Sequence, residues 1–378
     1  MGRIGRILQT TMSVTPASPA QARQRWPRVD PSHFRRLQDL TVSSIGLGTY
    51  LGDADEAADA RYAEAIRAAV ALGCTLLDTA INYRCQRSER VIGATVDALI
   101  REGAVSREEL VLCTKGGYLP FDGEVPANAA EFFTRTILEP GLARPEEIAA
   151  GCHCLAPAYL DHALKTSLAN LRVRTIDVYY LHNPEQQLDA VSREELEGRL
   201  EAAFTLLEQR AHAGLLRYYG AATWNGLRAN PRARDYLSLE ALVRVARRAG
   251  GEAHHFRAIQ LPYNLSMPEA YAFRNQPVDG EALTALEAAG RLGLSVIASA
   301  SLLQSRLTRL PASLAERIPG LATAAQRALQ FARSTPGMTA ALVGMQQRAH
   351  VEENLELAQH PPLAAEQIQR LFDRADRR

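Results

Sequence analysis

The chain has 378 residues, of which 47% are hydrophobic and 22% are charged, so it is long enough to bury a large core. The formal net charge is +1 and the basic residues are scattered, which argues against nucleic acid or an anionic membrane surface as a partner. No apolar run approaches the roughly 20 residues that a transmembrane helix needs. A small molecule is therefore the expected partner, while the oligomeric state stays open.

Residues 1–30 are predicted to form a flexible arm. They include several arginines but no apolar run of the roughly 7–15 residues that a secretory signal needs. Five cysteines is an odd number, and Cys74 and Cys113 lie in apolar segments, where a free thiol behaves as a small hydrophobic group. These features predict a reducing, cytoplasmic environment. At the other end, residues 361–378 are predicted to form a surface helix and tail.

From residue 31 to 360, segments typical of strands and helices alternate. Residues 34–49 indicate a hairpin and a first strand, and the amphipathic stretch 57–72 predicts the first helix. Seven more strands are predicted, at 75–78, 110–114, 176–181, 216–221, 257–261, 294–299 and 340–343. Eight strands separated by helices favour a closed (β/α)8 TIM barrel. A doubly wound sheet is the alternative, but no GxGxxG motif follows the first strand.

One connection is much longer than the others. About forty residues rich in Gly, Pro and Ala, from Gly116 to Pro157, separate the third strand from the next helix. Connections of this length are usually functional or disordered, and this one leaves the carboxyl end of a strand, where barrels keep their active sites. We therefore predict a lid over the substrate, with a solvated insertion as the alternative.

Polar side chains stand at or just after the ends of three successive predicted strands. Asp78 and Tyr83 lie in the run that ends the second strand, Lys115 ends the third and His182 ends the fourth. Because the carboxyl ends of barrel strands share one rim, these four side chains are expected to meet there. Each one alone would more often be a helix cap, a half-buried ring or a surface cation. Four in this order indicate a catalytic site.

Lysine is almost absent from the chain. Of the 43 basic residues, only Lys115 and Lys165 are lysines. Arginine cannot replace lysine where a compact ammonium of tunable pKa is required. Lys115 stands where such a group is needed, whereas Lys165 lies in an amphipathic helical stretch and is predicted to be a solvated surface residue.

The three strand ends resemble signatures of the aldo-keto reductase superfamily: a D-x-A-x-x-Y run, a strand-ending lysine and an apolar strand ending in Leu-His. The likeness extends from about residue 34 to residue 358. It implies an NADP(H)-dependent oxidoreductase that interconverts a carbonyl and an alcohol by hydride transfer. By this resemblance Tyr83 is the general acid and base, Lys115 eases its proton release, Asp78 keeps Lys115 charged, and His182 orients the carbonyl.

The cofactor side implied by the resemblance departs from the family pattern. Gln260 matches the glutamine that binds the nicotinamide carboxamide, but Thr223 or Asn225 has to replace the usual Ser-Asn pair after the fifth strand. Ser299 stands where the family has an aromatic residue that stacks on the nicotinamide. These departures keep two alternatives open: a lyase or cyclase of secondary metabolism that only transfers protons, and a nucleotide-sensing regulatory subunit.

The last predicted strand and helix resemble the family's adenosine-phosphate loop. Gln346 aligns with the usual cation for the 2′-phosphate, and Arg348 lies two residues later, where a guanidinium can clamp a phosphate. The predicted cofactor-binding residues are Gly48, Thr49, Thr223, Asn225, Gln260, Ser299, Leu302, Gln304, Arg306, Gly344, Gln346, Arg348, His350 and Asn354. The predicted substrate-binding residues are Tyr50, Tyr118, His153, Asn183 and Trp224.

The sequence Cys152-His153-Cys154 brings together residue types that bind metals. Alternating residues of one short loop rarely complete a tetrahedral site without a second pair, and no CxxC or HxxxH motif is nearby. We therefore predict no metal site and expect His153 to face the substrate. The identity of the substrate depends on the loops, and the sequence does not reveal it.

Overall fold

Eight parallel strands close into a barrel in the computed structural model, which describes residues 16–373. We number these strands β1 to β8 in chain order. Each pairs with the next, and β8 pairs with β1. They are β1 (Ile45–Gly48), β2 (Leu76–Asp78), β3 (Val111–Gly116), β4 (Ile176–His182), β5 (Leu216–Ala222), β6 (Phe256–Pro262), β7 (Ser295–Ser299) and β8 (Ala340–Gly344). The predicted (β/α)8 barrel is confirmed.

One helix of the barrel repeat follows each strand. The helices are α1 (Glu56–Ala71), α2 (Arg87–Arg101), α3 (Pro157–Leu171), α4 (Arg193–His212), α5 (Leu239–Gly250), α6 (Ala285–Arg291), α7 (Ala324–Ser334) and α8 (Arg348–Leu355). Several begin where a side chain accepts a hydrogen bond from the first turn, as Asp55 does before α1 and Ser192 before α4. Over residues 16–373, no helix is long and apolar enough to cross a membrane.

Shorter elements lie between the repeats. Further α-helices span Pro19–Arg25, Ala129–Phe133, Glu269–Ala272, Ala312–Arg317 and Ala365–Phe372. Short 3-10 helices span Pro31–His33, Arg107–Glu109, Pro145–Glu147, Pro184–Asp189, Arg306–Thr308 and Glu356–Gln359. Three two-stranded sheets pair Phe34–Leu37 with Leu40–Ser43, Ile148–Ala149 with His153–Cys154, and Gln276–Val278 with Glu281–Leu283.

Successive residues of each strand point alternately into the barrel and toward the surrounding helices. In β2, Leu76 belongs to the apolar cluster inside the barrel, whereas Leu77 belongs to the larger cluster around it. Asp78 comes two residues after Leu76 and therefore points inward. Lys115 follows interior Cys113 and His182 follows interior Tyr180 at the same spacing, so the alternation directs all three polar side chains to the barrel interior.

The hairpin Phe34–Leu37 and Leu40–Ser43 closes one end of the barrel. Leu37, Leu40 and Val42 belong to the interior cluster. Ser43 exchanges hydrogen bonds with Thr75 at the start of β2, at 2.8 and 2.9 Å. The hairpin therefore covers the amino-terminal ends of the strands and leaves the carboxyl-terminal ends for a site.

The prediction that residues 1–30 form a flexible arm is wrong for residues 16–30. Residues 1–15 lie outside the described part of the chain. The helix Pro19–Arg25 is followed by Trp26, which is 7% exposed and donates its indole N–H to the Val70 carbonyl at 2.9 Å. Burial of this indole and its hydrogen bond hold the segment against α1. At the other end, the helix Ala365–Phe372 buries Ile368, and residues 374–378 lie outside the described residues.

The long connection after β3 is folded and fastened to the barrel rim. It contains the helix Ala129–Phe133, a π-helical turn at Thr134–Leu138 and a two-stranded sheet. The Gly123 amide donates to the Cys85 carbonyl at 2.9 Å, and the Cys154 amide donates to the Gly117 carbonyl at 2.8 Å. The connection thus lies beside the carboxyl ends of β2 and β3. Its action as a lid stays a prediction.

Candidate active site

A buried ion pair joins the ends of β2 and β3. The Lys115 ammonium donates to Asp78 Oδ1 at 2.5 Å and to the Thr79 carbonyl at 2.7 Å, and the two charged side chains are 1% and 6% exposed. Gln260, from the opposite side of the barrel, donates to Asp78 Oδ2 at 2.8 Å. Burial is the largest single influence and lowers the pKa of Lys115, but the Asp78 charge, the interaction with Tyr83 and the hydrogen bond to Asp78 together outweigh it, so the pKa is raised. Lys115 therefore carries a proton at neutral pH.

The Tyr83 ring lies directly against this pair. Lys115 Nζ is 5.0 Å from the ring centroid, and the rings of Tyr50 and His182 lie at 5.0 and 5.7 Å. Burial raises the pKa of Tyr83, and the opposing charge of Lys115 does not cancel that increase. The phenol therefore keeps its proton at neutral pH and is available as a proton donor.

An unusual turn follows Tyr83. Arg84, Cys85 and Gln86 have φ angles of 48°, 55° and 68°, in the left-handed region that costs non-glycine residues about 1 kcal/mol or more each. The Arg84 side chain braces the turn by donating to the Asp53 carbonyl at 2.8 Å and to the Asp59 carboxylate at 2.6 Å. Strain of this kind persists where the surroundings over-determine the backbone, so the position of Tyr83 is strongly constrained.

His182 is held as a neutral imidazole. Burial and the Lys115 charge together place its pKa well below 6.5, so one ring nitrogen carries a hydrogen and the other a lone pair. His182 Nδ1 is buried and has no hydrogen-bond partner among residues 16–373. The ring is therefore suited to hydrogen bonding with a neutral polar group of a ligand.

The prediction that His153 faces the substrate is wrong. Its side chain is fully buried, with Nε2 2.7 Å from the His182 carbonyl oxygen and Nδ1 2.7 Å from Gln187 Nε2. Burial lowers its pKa to about 4, so the neutral ring donates to His182 and accepts from Gln187. The backbone of His153 pairs with Ala149 and with Tyr118, and its ring is closed to solvent. It supports the backbone that carries His182.

The other predicted substrate residues surround the rim. The Tyr118 ring lies 5.0 Å from His182, and the Tyr118 hydroxyl accepts from Asn183 Nδ2 at 3.2 Å. Tyr50 is 57% exposed and Trp224 is 46% exposed. Two large aromatic faces are thus open to solvent at the carboxyl ends of the strands, beside the buried polar pair.

Glu185 was missed in the sequence. It is 7% exposed, and its Oε1 accepts the backbone N–H groups of Trp224, Asn225 and Gly226 at 2.7, 3.0 and 3.2 Å. Burial raises its pKa, although these amides oppose the increase. Glu185 therefore holds the loop after β5, which carries Thr223. The sequence feature that could have identified Glu185 is its position, an acidic residue three positions after the strand-ending His182.

Two predicted cofactor residues, Thr223 and Asn354, and the neighbouring Ser301 each carry a buried polar atom without a partner among residues 16–373. These atoms are Thr223 Oγ1, Asn354 Oδ1 and Ser301 Oγ. Gln260 and Ser299 stand at neighbouring strand ends, with Ser299 paired to Pro262. Buried polar atoms are normally hydrogen-bonded, so this group has capacity for a polar ligand.

The segment after β7 combines strained backbone with a free cation. Ala300, Leu303, Gln304 and Ser305 have φ angles of 52°, 46°, 50° and 68°, and such residues concentrate at ligand sites. Gln304 is exposed, as is Arg306, which has no ion pair within the described residues 16–373.

Other predicted cofactor residues have protein partners. The Thr49 hydroxyl is buried and donates to the Asp78 carbonyl at 3.3 Å, and its role in cofactor binding stays a prediction. Gln346 donates to the Leu51 carbonyl, and Arg348 pairs with Glu352 at 2.7 Å. The remaining positions are half-buried Gly48, Asn225 and Leu302, and exposed Gly344 and His350.

Comparison with solved structures agrees with this barrel fold. A solved aldo/keto reductase from Klebsiella pneumoniae, in complex with NADP and acetate, has 21% identity and a TM-score of 0.60, with 90% of this chain and 94% of that chain covered. The glycerol dehydrogenase of Gluconobacter oxydans has 18% identity and a TM-score of 0.60, with 90% and 94% covered. Both likenesses concern the fold.

A curated relative spans nearly the same length. The uncharacterized oxidoreductase YqkF of Bacillus subtilis (strain 168) is 24% identical over 341 residues, which are 88% of this chain and 92% of that protein. The model of the Aldo/keto reductase family matches residues 44–235, just over half of the chain, and this range contains Asp78, Tyr83, Lys115 and His182. The chain belongs to the aldo/keto reductase family.

Proposed function

We propose that this chain is an NADP(H)-dependent oxidoreductase that interconverts a carbonyl compound and its alcohol, with Tyr83 as the proton donor in the direction of reduction. One observation carries the proposal: the Tyr83 ring lies 5.0 Å from the ammonium of Lys115, which is itself buried and paired with Asp78. A phenol becomes a better acid beside a cation, because the cation stabilises the phenolate that forms.

The four residues have separable roles. Asp78 keeps Lys115 protonated in a buried position where a lone ammonium is unfavourable. Lys115 stabilises negative charge that develops on the Tyr83 oxygen during proton transfer. His182, held neutral, donates a hydrogen bond to the substrate carbonyl and polarises it without adding a charge. Proton transfer by a positioned group typically contributes about 10²- to 10⁴-fold in rate.

The cofactor side fits a nicotinamide nucleotide. When bound, NADPH supplies the hydride, which Tyr83 and its partners cannot provide. The unpartnered Thr223 Oγ1 and the amide oxygen of Gln260, whose nitrogen is bonded to Asp78, are suited to the carboxamide. Arg306 and the strained backbone before it are suited to the pyrophosphate, because backbone amides in such turns favour anions. The Klebsiella relative, solved with NADP, supports the choice of nucleotide.

The test combines nucleotide titration with one variant. NADPH, NADP+, NADH and NAD+ are titrated against the protein by intrinsic fluorescence, and NADPH oxidation is followed on a panel of aldehydes and ketones. We expect NADPH to bind and to be oxidised. Tyr83→Phe should lose about 10²-fold or more in kcat and keep its NADPH affinity.

Three outcomes would contradict the proposal. Binding of none of the four nucleotides would favour non-redox chemistry. Tight NADPH binding without turnover on any carbonyl would favour a nucleotide sensor. Full turnover by Tyr83→Phe would remove Tyr83 from the role of proton donor.

A further inference from the structure

A second cluster of ionisable side chains lies at the opposite end of the barrel from Tyr83. Glu208 and His212 are one turn apart near the end of α4, and His255 directly precedes the first residue of β6. The amino-terminal ends of the strands gather here, whereas Asp78 and Lys115 end their strands at the other rim. The cluster is therefore separate from the proposed reaction site.

The three side chains converge closely. Each offers a carboxylate oxygen or an imidazole nitrogen, and these three atoms all lie within 4.8 Å of one another. The rings of His212 and His255 are 5.2 Å apart. The Glu208 carboxylate accepts the His255 backbone N–H at 2.7 Å through Oε1, and its Oε2 lies 2.6 Å from His255 Nδ1.

Hydrogen bonds set the chemical form of both rings. His212 Nδ1 lies 2.7 Å from the Glu208 backbone carbonyl, which can only accept, so Nδ1 carries the hydrogen. His255 Nδ1 and Glu208 Oε2 share a proton across 2.6 Å, and a metal ion that displaces this proton is bound by both atoms. His212 Nε2 is the free nitrogen of its ring. Metal-binding histidines are oriented as His212 is, with the other ring nitrogen donating to a carbonyl.

Glu208 is fixed and lacks a strong cation. Its side chain is 4% exposed, and its only ion-pair partner among the described residues is His255. A Cβ added at Gly250 would lie 2.4 Å from the Glu208 carboxyl carbon, so glycine at this position allows the carboxylate its place. A buried carboxylate beside two imidazole rings is a set of ligand types that favours a divalent cation.

We propose that Glu208, His212 and His255 bind one divalent transition-metal ion, with zinc as the preferred metal. Zinc takes imidazole nitrogen and carboxylate oxygen at about 2.0–2.2 Å, and water completes a site with three protein ligands. The three ligand atoms lie within 4.8 Å of one another, and His212, whose side chain is exposed, is the ligand that moves toward the other two. The ion links the end of α4 to the start of β6 and stabilises the amino-terminal end of the barrel.

The test uses full-length, tag-free protein stripped of metal with a chelator. Zn²⁺ is titrated by calorimetry, Co²⁺ binding is followed by visible absorption, and the melting temperature is measured with and without Zn²⁺. His212→Ala removes a ligand, and His212→Gln removes it while keeping an amide that can donate to the Glu208 carbonyl. The matched control is His162→Ala, which removes an exposed histidine from α3.

We expect one equivalent of Zn²⁺ per chain and a higher melting temperature in the parent protein and in His162→Ala. Both His212 variants should bind about tenfold more weakly or worse and lose the thermal shift, while their metal-free forms melt close to the metal-free parent. The proposal is overturned if the parent binds no stoichiometric zinc, if the His212 variants bind as tightly as His162→Ala, or if Co²⁺ gives the thiolate absorption of a cysteine ligand.

Discussion

The two halves of the barrel rim are organised differently. At the ends of β2 and β3, the Lys115 ammonium and both Asp78 oxygens are bonded within the protein. Around the ends of β5 to β8, Thr223 Oγ1 and Ser301 Oγ are buried without partners, and Arg306 has no ion pair among residues 16–373. The proposed proton-transfer half is therefore built around an ion pair that is bonded within the protein and leaves His182 Nδ1 open, whereas the proposed cofactor half presents several unpartnered polar groups to a ligand.

The largest effect on stability and activity is expected at the Asp78–Lys115 pair, whose charges are bonded within the protein. Lys115→Met leaves the Asp78 carboxylate buried without its cation, and breaking a buried pair in this way costs about 3–5 kcal/mol in the free energy of unfolding. The reductase activity of Lys115→Met should also fall, because Tyr83 loses its neighbouring positive charge. Denaturant unfolding and NADPH oxidation measure the two effects.

The other lysine provides the control for this prediction. The Lys165 side chain is 61% exposed and pairs with Asp161 one helical turn away, so Lys165→Met should change the free energy of unfolding by about 0.5 kcal/mol or less. Equal stability of the two variants would show that the Asp78–Lys115 pair does not organise this half of the rim.

A smaller effect is expected on the cofactor half. Glu185→Ala removes the acceptor for the amides of Trp224, Asn225 and Gly226, and unsatisfied buried groups cost about 1–3 kcal/mol. The loop that carries Thr223 should loosen, and NADPH should bind about tenfold more weakly, as measured by fluorescence titration. Glu185→Gln keeps an acceptor oxygen and should retain most of the affinity. Unchanged NADPH affinity in Glu185→Ala would separate Glu185 from cofactor binding.

The smallest effect is expected for the dependence of kcat/KM on pH. The pKa of His182 lies well below 6.5, and the pKa values of Tyr83 and Lys115 are raised above 10.0 and 10.5. In the free enzyme none of these groups changes charge across neutral pH, and Tyr83 loses its proton only as pH rises through its raised pKa. For carbonyl reduction, kcat/KM should therefore be flat from about pH 6 to pH 8. A step near the usual histidine pKa would contradict the neutral His182.

Local patterns were sufficient for much of the fold and part of the site. The predicted strand 176–181 is observed as Ile176–His182, and the predicted helix 57–72 as Glu56–Ala71, because hydrophobic periodicity reports which face of each element is buried. The same alternation directs Asp78, Lys115 and His182 into one interior. The scarcity of lysine also distinguished Lys115 correctly: it is buried, whereas Lys165 is exposed.

The errors have a common physical origin. Trp26 is buried by contact with Val70, and His153 is turned away from the rim by its bonds to His182 and Gln187. Glu185 acquires its position from the amides of a loop about forty residues later. Hydrophobic periodicity within a local segment does not report these contacts, because each one joins segments that only the closed barrel brings together.

The sequence by itself determined the alternating strands and helices, the inward direction of the strand-end side chains, and the family signatures around Tyr83. Only the tertiary structure decided which of these polar groups are satisfied, which remain open to a ligand, and that Glu208, His212 and His255 converge at the far end of the barrel. The reason is that side-chain direction follows from local backbone geometry, whereas burial, charge pairing and metal-ligand convergence depend on the distances between distant segments.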